Sequence, residues 1–88
     1  MEVIGEKLKS SREEKGLSLE EVSEDLEIEI KDLKNIENGN RKFFDDIFVL
    51  KKHIYEYAKY LGLDYDKLIE EFNDFVFEYT SKIHPFLL

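Results

Sequence analysis

The stretch Gly16-Leu17-Ser18-Leu19-Glu20-Glu21-Val22-Ser23, followed by Leu33-Lys34-Asn35-Ile36-Glu37-Asn38-Gly39, constrains this chain more than any other. Gly16 suits the left-handed stop of a preceding helix. Ser18 with Glu21 three residues later is a capping box, in which hydroxyl and carboxylate each satisfy a free backbone N–H. Leu19, Val22 and Leu26 then supply a buried stripe at helical spacing. A break near Glu27 leads to Ile30, Leu33 and Ile36, and Asn38-Gly39-Asn40 closes the segment with residues that tolerate positive φ. The pattern predicts a helix starting at Leu19, a tight turn, and a second short helix over 29–38.

Two short helices joined in this way are the frame of a helix-turn-helix. Around it, Ile4, Leu8 and Ser11 mark a first helix running to about residue 15. Asp45 and Asp46 are candidate caps for a fourth helix over 47–61, which meets no breaker before Gly62. Asp64 caps a fifth, whose apolar positions Leu68, Phe72, Phe75, Val76, Tyr79 and Ile83 keep a helical period almost to Pro85. With 88 residues, 42% of them apolar and 39% charged, and a single Pro, the chain reads as one all-α domain of five helices. A domain of this size buries about 60–70% of the surface its unfolded chain exposes. No repeat or linker interrupts residues 1–82, and 83–88 form a C-terminal tail.

The order Ile4-Gly5-Glu6-Lys7-Leu8, Gly16-Leu17-Ser18-Leu19-Glu20-Glu21-Val22, Ile36-Glu37-Asn38-Gly39 and Tyr57-Ala58-Lys59-Tyr60-Leu61-Gly62-Leu63-Asp64 resembles the cytoplasmic domain of RodZ proteins. These belong to the wider Xre group, so the resemblance implies a lambda-repressor-like helix-turn-helix bundle. It also implies a cytoskeletal role, since membrane-anchored RodZ binds the bacterial actin MreB in rod-shape maintenance. The domain is then expected in the cytoplasm, at the inner face of the cell membrane. Two departures stand out. Where repressors place Gly in the turn between helices 2 and 3, this chain has Glu27, at about 1 kcal/mol in a left-handed conformation. Where many RodZ-like chains carry aromatic residues in the first half of helix 4, it has Val49 and His53.

The alternative reading is a DNA-binding transcriptional regulator of the Xre type. By analogy with repressors its base-reading positions fall at Glu29, Ile30 and Lys34. Only Lys34 suits a guanine edge. A net charge of −8 opposes the counterion release that supplies most affinity for phosphate backbones, so specific DNA binding is not expected.

Helix 4 points instead to a protein partner. Ile47, Leu50, Ile54, Ala58 and Leu61 suffice for its buried stripe, and Val49, His53, Tyr57 and Tyr60 form a second row at i, i+4, i+8 and i+11. Either helix 5 covers this second row or the row lies exposed as a contact site. On the second reading Val49, His53, Tyr57 and Tyr60 contact the filament, and Lys52 belongs to a basic rim suited to an acidic surface.

Catalysis and metal binding find little support. There is no cysteine, the two histidines lack ligand spacing, and adjacent acids such as Glu13-Glu14 point about 100° apart on a helix. Asp64-Tyr65-Asp66 opens like a calcium loop but has Ile69 at the sixth position and Phe75 at the twelfth. Neither an enzyme, a cofactor nor a metal is expected. The N-terminus has no apolar core of signal-peptide length, and the expectation is an unexported, soluble chain. The apolar ending Phe86-Leu87-Leu88, with the RodZ resemblance, implies that the natural protein continues into a membrane-spanning segment.

Overall fold

Helix-turn-helix geometry starts at Ser18, whose side chain accepts a hydrogen bond from the Glu21 backbone N–H at 3.1 Å and so opens the second helix. A computed structural model describes the backbone of residues 1–83 and the side chains of residues 1–77. Among these are five α-helices and no strand: α1 Glu2–Glu14, α2 Leu19–Leu26, α3 Ile30–Glu37, α4 Ile47–Tyr60 and α5 Tyr65–Ile83. A short 3-10 turn, Arg41–Phe43, links α3 to α4. The third helix is two residues shorter than expected, because Glu29 and Asn38 are its caps. Of the two candidate caps before α4, Asp46 does the work and accepts from the Phe48 N–H at 2.9 Å. Asp64 accepts from the Lys67 N–H at 3.1 Å and opens α5, which reaches Ile83; the rest of the expected tail, 84–88, lies outside the described residues.

Glu27 stands at φ 57° in the left-handed region, as the turn requires. The Ser23 hydroxyl donates to the Ile28 carbonyl at 2.6 Å across this turn, and Ile28 is buried behind it. That tether and burial hold a conformation that Glu would otherwise avoid.

One core collects a stripe from every α-helix: Ile4 and Leu8, Val22, Leu33 and Ile36, Leu50 and Ile54, Leu68 and Phe72. Each such side chain contributes about 1.5–3 kcal/mol when fully buried. Helix α1 lies directly on the end of α3, and Gly5 permits it: a Cβ there would sit 2.4 Å from the Ile36 carbonyl oxygen. The close approach brings Arg12 to Glu37.

Among the described residues Glu37 is the one buried acidic side chain, with its carboxylate 4% exposed. Arg12 donates to it twice, from Nε at 2.7 Å and from Nη2 at 3.0 Å, and sends Nη1 to the Leu17 carbonyl at 2.9 Å. The Tyr57 hydroxyl donates to Glu37 Oε2 at 2.5 Å. A buried carboxylate is tolerable only when paired and hydrogen-bonded, and the planar fork of Arg meets that requirement. The cluster ties α1, α3 and α4 together. On the other side α5 packs along α4, and Lys7 reaches Glu71 at 2.9 Å to join α1 to α5.

Candidate functional site: the faces of helix α4

Three faces run along α4. The inward face is the expected stripe, with Leu50, Ile54 and Ala58 fully buried and Leu61 continuing it as the C-cap. The second row of Val49, His53, Tyr57 and Tyr60 reaches acids of α2 and α3 through its last three members. His53 Nε2 lies 3.9 Å from Asp32 Oδ2, Tyr57 binds Glu37, and the Tyr60 hydroxyl donates to Asp25 Oδ2 at 2.5 Å. Each ring of this row meets an acid of the helix-turn-helix.

Tyr57 does not stand on the surface where a partner contact was expected. Its side chain is 0% exposed and its hydroxyl is committed to Glu37. Burial, and then that hydrogen bond, push the hydroxyl far above its ordinary pKa range. His53 is half-buried, with Nδ1 buried and without a hydrogen-bond partner among the described residues. Tyr60 is half-buried, and its bond to Asp25 raises its hydroxyl pKa. Val49 is 43% exposed and Lys52 extends into solvent, so two of the five expected contact residues are exposed.

The outward face carries Lys52, expected in the basic rim, beside three residues that the sequence reading left out of the contact set, Phe48, Tyr55 and Lys59. Phe48, Lys52, Tyr55 and Lys59 fall at i, i+4, i+7 and i+11, and all four are exposed. Phe48 is the most exposed large apolar residue described, at 77%. Tyr55 leans edge-on against Tyr65 of α5, with ring centroids 5.0 Å apart. Helical phase places this row opposite Leu50, Ile54 and Leu61, but phase alone does not say which flank of α4 a neighbouring helix covers.

The face a DNA reader would present is different in charge. Residues 19–32 hold seven carboxylates, Glu20, Glu21, Glu24, Asp25, Glu27, Glu29 and Asp32, against one cation, Lys31. Glu29 is exposed at the start of α3 and takes up Lys31 at 3.2 Å. Ile30 is half-buried, and Lys34 is exposed one turn later. Of the three positions expected at base edges, only Lys34 offers a free donor to a groove. Among the described residues no cluster of three metal-ligating side chains occurs, and no helix is long and apolar enough to cross a membrane.

Comparison with known proteins agrees with the α2–turn–α3 geometry. A family model described as a helix-turn-helix domain matches residues 7–68, which takes in α2, α3 and α4 entire. No curated protein and no solved structure matches the chain significantly. On that match over more than half of its length, the chain belongs to the helix-turn-helix domain family.

Proposed function

We propose that this helix-turn-helix domain is a protein-interaction module rather than a DNA reader. In this reading it is the cytoplasmic adaptor part of a RodZ-like protein that binds the actin-like filament protein MreB in rod-shape maintenance. The observation that supports it is a contrast of faces: the α2–α3 surface is acidic, while the outward face of α4 presents Phe48 and Tyr55 beside Lys52 and Lys59, with Val49 exposed next to them. Carboxylates on a groove-facing surface oppose counterion release. Exposed aromatics beside cations suit an acidic protein surface.

The contact row is then Phe48, Val49 and Lys52, with His53 and Tyr60 at its edge and Tyr57 behind it. Membrane attachment belongs to the same reading and needs an apolar segment of about 20 residues downstream of this chain. Co-sedimentation with polymerised MreB, beside a DNA titration at low salt, tests the proposal. Phe48→Ala weakens filament binding by about 1–2 kcal/mol or more, as central interface residues do, with the denaturant midpoint unchanged. Recovery of a defined, enriched site from a random duplex library at physiological salt, with no filament binding, refutes the adaptor and establishes the regulator.

A further inference from the structure

Outward rows on α2 and α4 carry opposite charges at matching intervals. Lys52 and Lys59 stand seven residues apart on α4, which is about 10.5 Å along a helix axis. Tyr55 lies between them and Phe48 one turn before. On α2 and its cap, Glu20, Glu24 and Glu27 stand at i, i+4 and i+7 and are all exposed, so Glu20 and Glu27 have the same separation in sequence. Aligned in parallel, Lys52 meets Glu20, Tyr55 meets Glu24 and Lys59 meets Glu27. Phe48 then falls at the start of α2, where Leu17 and Leu19 are only half-buried.

Neither row is satisfied inside one molecule. Among the described residues, Glu20, Glu24 and Glu27 pair with no cation and Lys59 pairs with no carboxylate. Lys52 reaches only Glu56, at 3.9 Å across solvent. We propose that the outward row of α4 docks a second copy of this chain, through that copy's acidic α2 row, in a head-to-tail contact. Such a contact uses two different surfaces, leaves one of each free on the resulting pair, and so extends into a chain or closes into a ring.

Size and net charge set its behaviour. Two short rows bury well under the roughly 1,600 Å² of a standard interface, so the contact is weak and transient. Each copy carries −8, which repels over long distances when salt is low, while the docked ion pairs attract only at short range. The screening length is about 30 Å at 0.01 M, 10 Å at 0.1 M and 3 Å at 1 M. Association is therefore strongest near 0.1 M salt and falls on either side. The inference stands apart from the filament reading, and where both hold, a second copy and the filament compete for α4.

Sedimentation velocity of the whole chain tests it. At 0.1 M salt the average mass rises past that of a dimer as concentration approaches about 1 mM, the regime of weak contacts. The double variants K52Q/K59Q and E20Q/E24Q each stay monomeric, since each has lost the charges of one face. Mixed in equal amounts they form a dimer and nothing larger, because the intact α4 row of one meets the intact α2 row of the other. Phe48→Ala, which alters no charge, weakens wild-type association several-fold and keeps its dependence on salt. A wild-type chain that remains monomeric, or that stops at a dimer, overturns the proposal. So does a mixture no heavier than its parts, or a Phe48→Ala chain that associates like wild type.

Discussion

Replacing Tyr57 with Phe removes one oxygen from the centre of the domain and leaves the ring in place. The ring is fully buried, so its apolar contribution persists. What disappears is the 2.5 Å hydrogen bond to Glu37 Oε2, one of three donated to that carboxylate, while the fork from Arg12 remains. Hydrogen bonds to charged groups contribute about 1.5–3 kcal/mol, and the low exposure of Glu37 means water cannot replace the lost donor. In a domain of this length each kcal/mol moves the melting temperature by about 4–8 °C, so Tyr57→Phe melts roughly 6–24 °C lower. Urea midpoints and thermal melts by circular dichroism measure the loss, and filament co-sedimentation of the folded fraction measures binding. The expected result is lost stability with normal binding. A stability change below about 0.5 kcal/mol would show that Glu37 does not depend on this donor. Lost binding at unchanged stability would return Tyr57 to the contact surface.

Three further outcomes follow from the same geometry. Because the folded-state pKa of Tyr57 is raised above its unfolded value of about 10, its contribution is complete below that pH and is lost as pH rises above it. Between pH 10.5 and 11.5 wild type should therefore lose up to about 1.2 kcal/mol more than Tyr57→Phe, and equal slopes in paired denaturant titrations refute the assignment. Arg12→Ala leaves the Glu37 carboxylate buried without its ion pair and should cost about 3–5 kcal/mol in chemical denaturation, far more than removal of the exposed Lys7–Glu71 pair by Lys7→Ala. Glu27→Gly relieves a left-handed residue and should raise stability by about 0.5–1 kcal/mol after the greater freedom of the unfolded Gly chain is set against it; a loss would mean that the Glu27 side chain makes a stabilising contact.

Helix positions and their ends were legible in the residues because capping is local. Ser18 acts three residues ahead, Asp46 two and Asp64 three, so a short window contains both partners of each bond. The break at Glu27 was legible for a similar reason, since it lies between two apolar stripes that must both face inward, while its left-handed conformation was implied by the likeness to repressors. The inward stripe of α4 could be read from its period as well. Its second row could be counted but not assigned, because its cover comes from Asp25, Asp32 and Glu37, far away in the chain.

The sequence by itself determined five helices, their caps and the acidic character of the α2–α3 surface, all of which follow from residue type and spacing within a few positions. Only the tertiary structure decided which side of α4 meets solvent. Docking α2 and α3 on one flank takes Tyr57 and most of His53 out of reach and leaves Phe48, Lys52, Tyr55 and Lys59 outside. It also turned Glu37, an ordinary helix acid in sequence, into the centre of a buried cluster. Its partners Arg12 and Tyr57 lie 25 and 20 residues away, and the backbone approach permitted by Gly5 brings the α1 partner within reach. A carboxylate is costly in a core until those donors arrive, and no local pattern records their arrival.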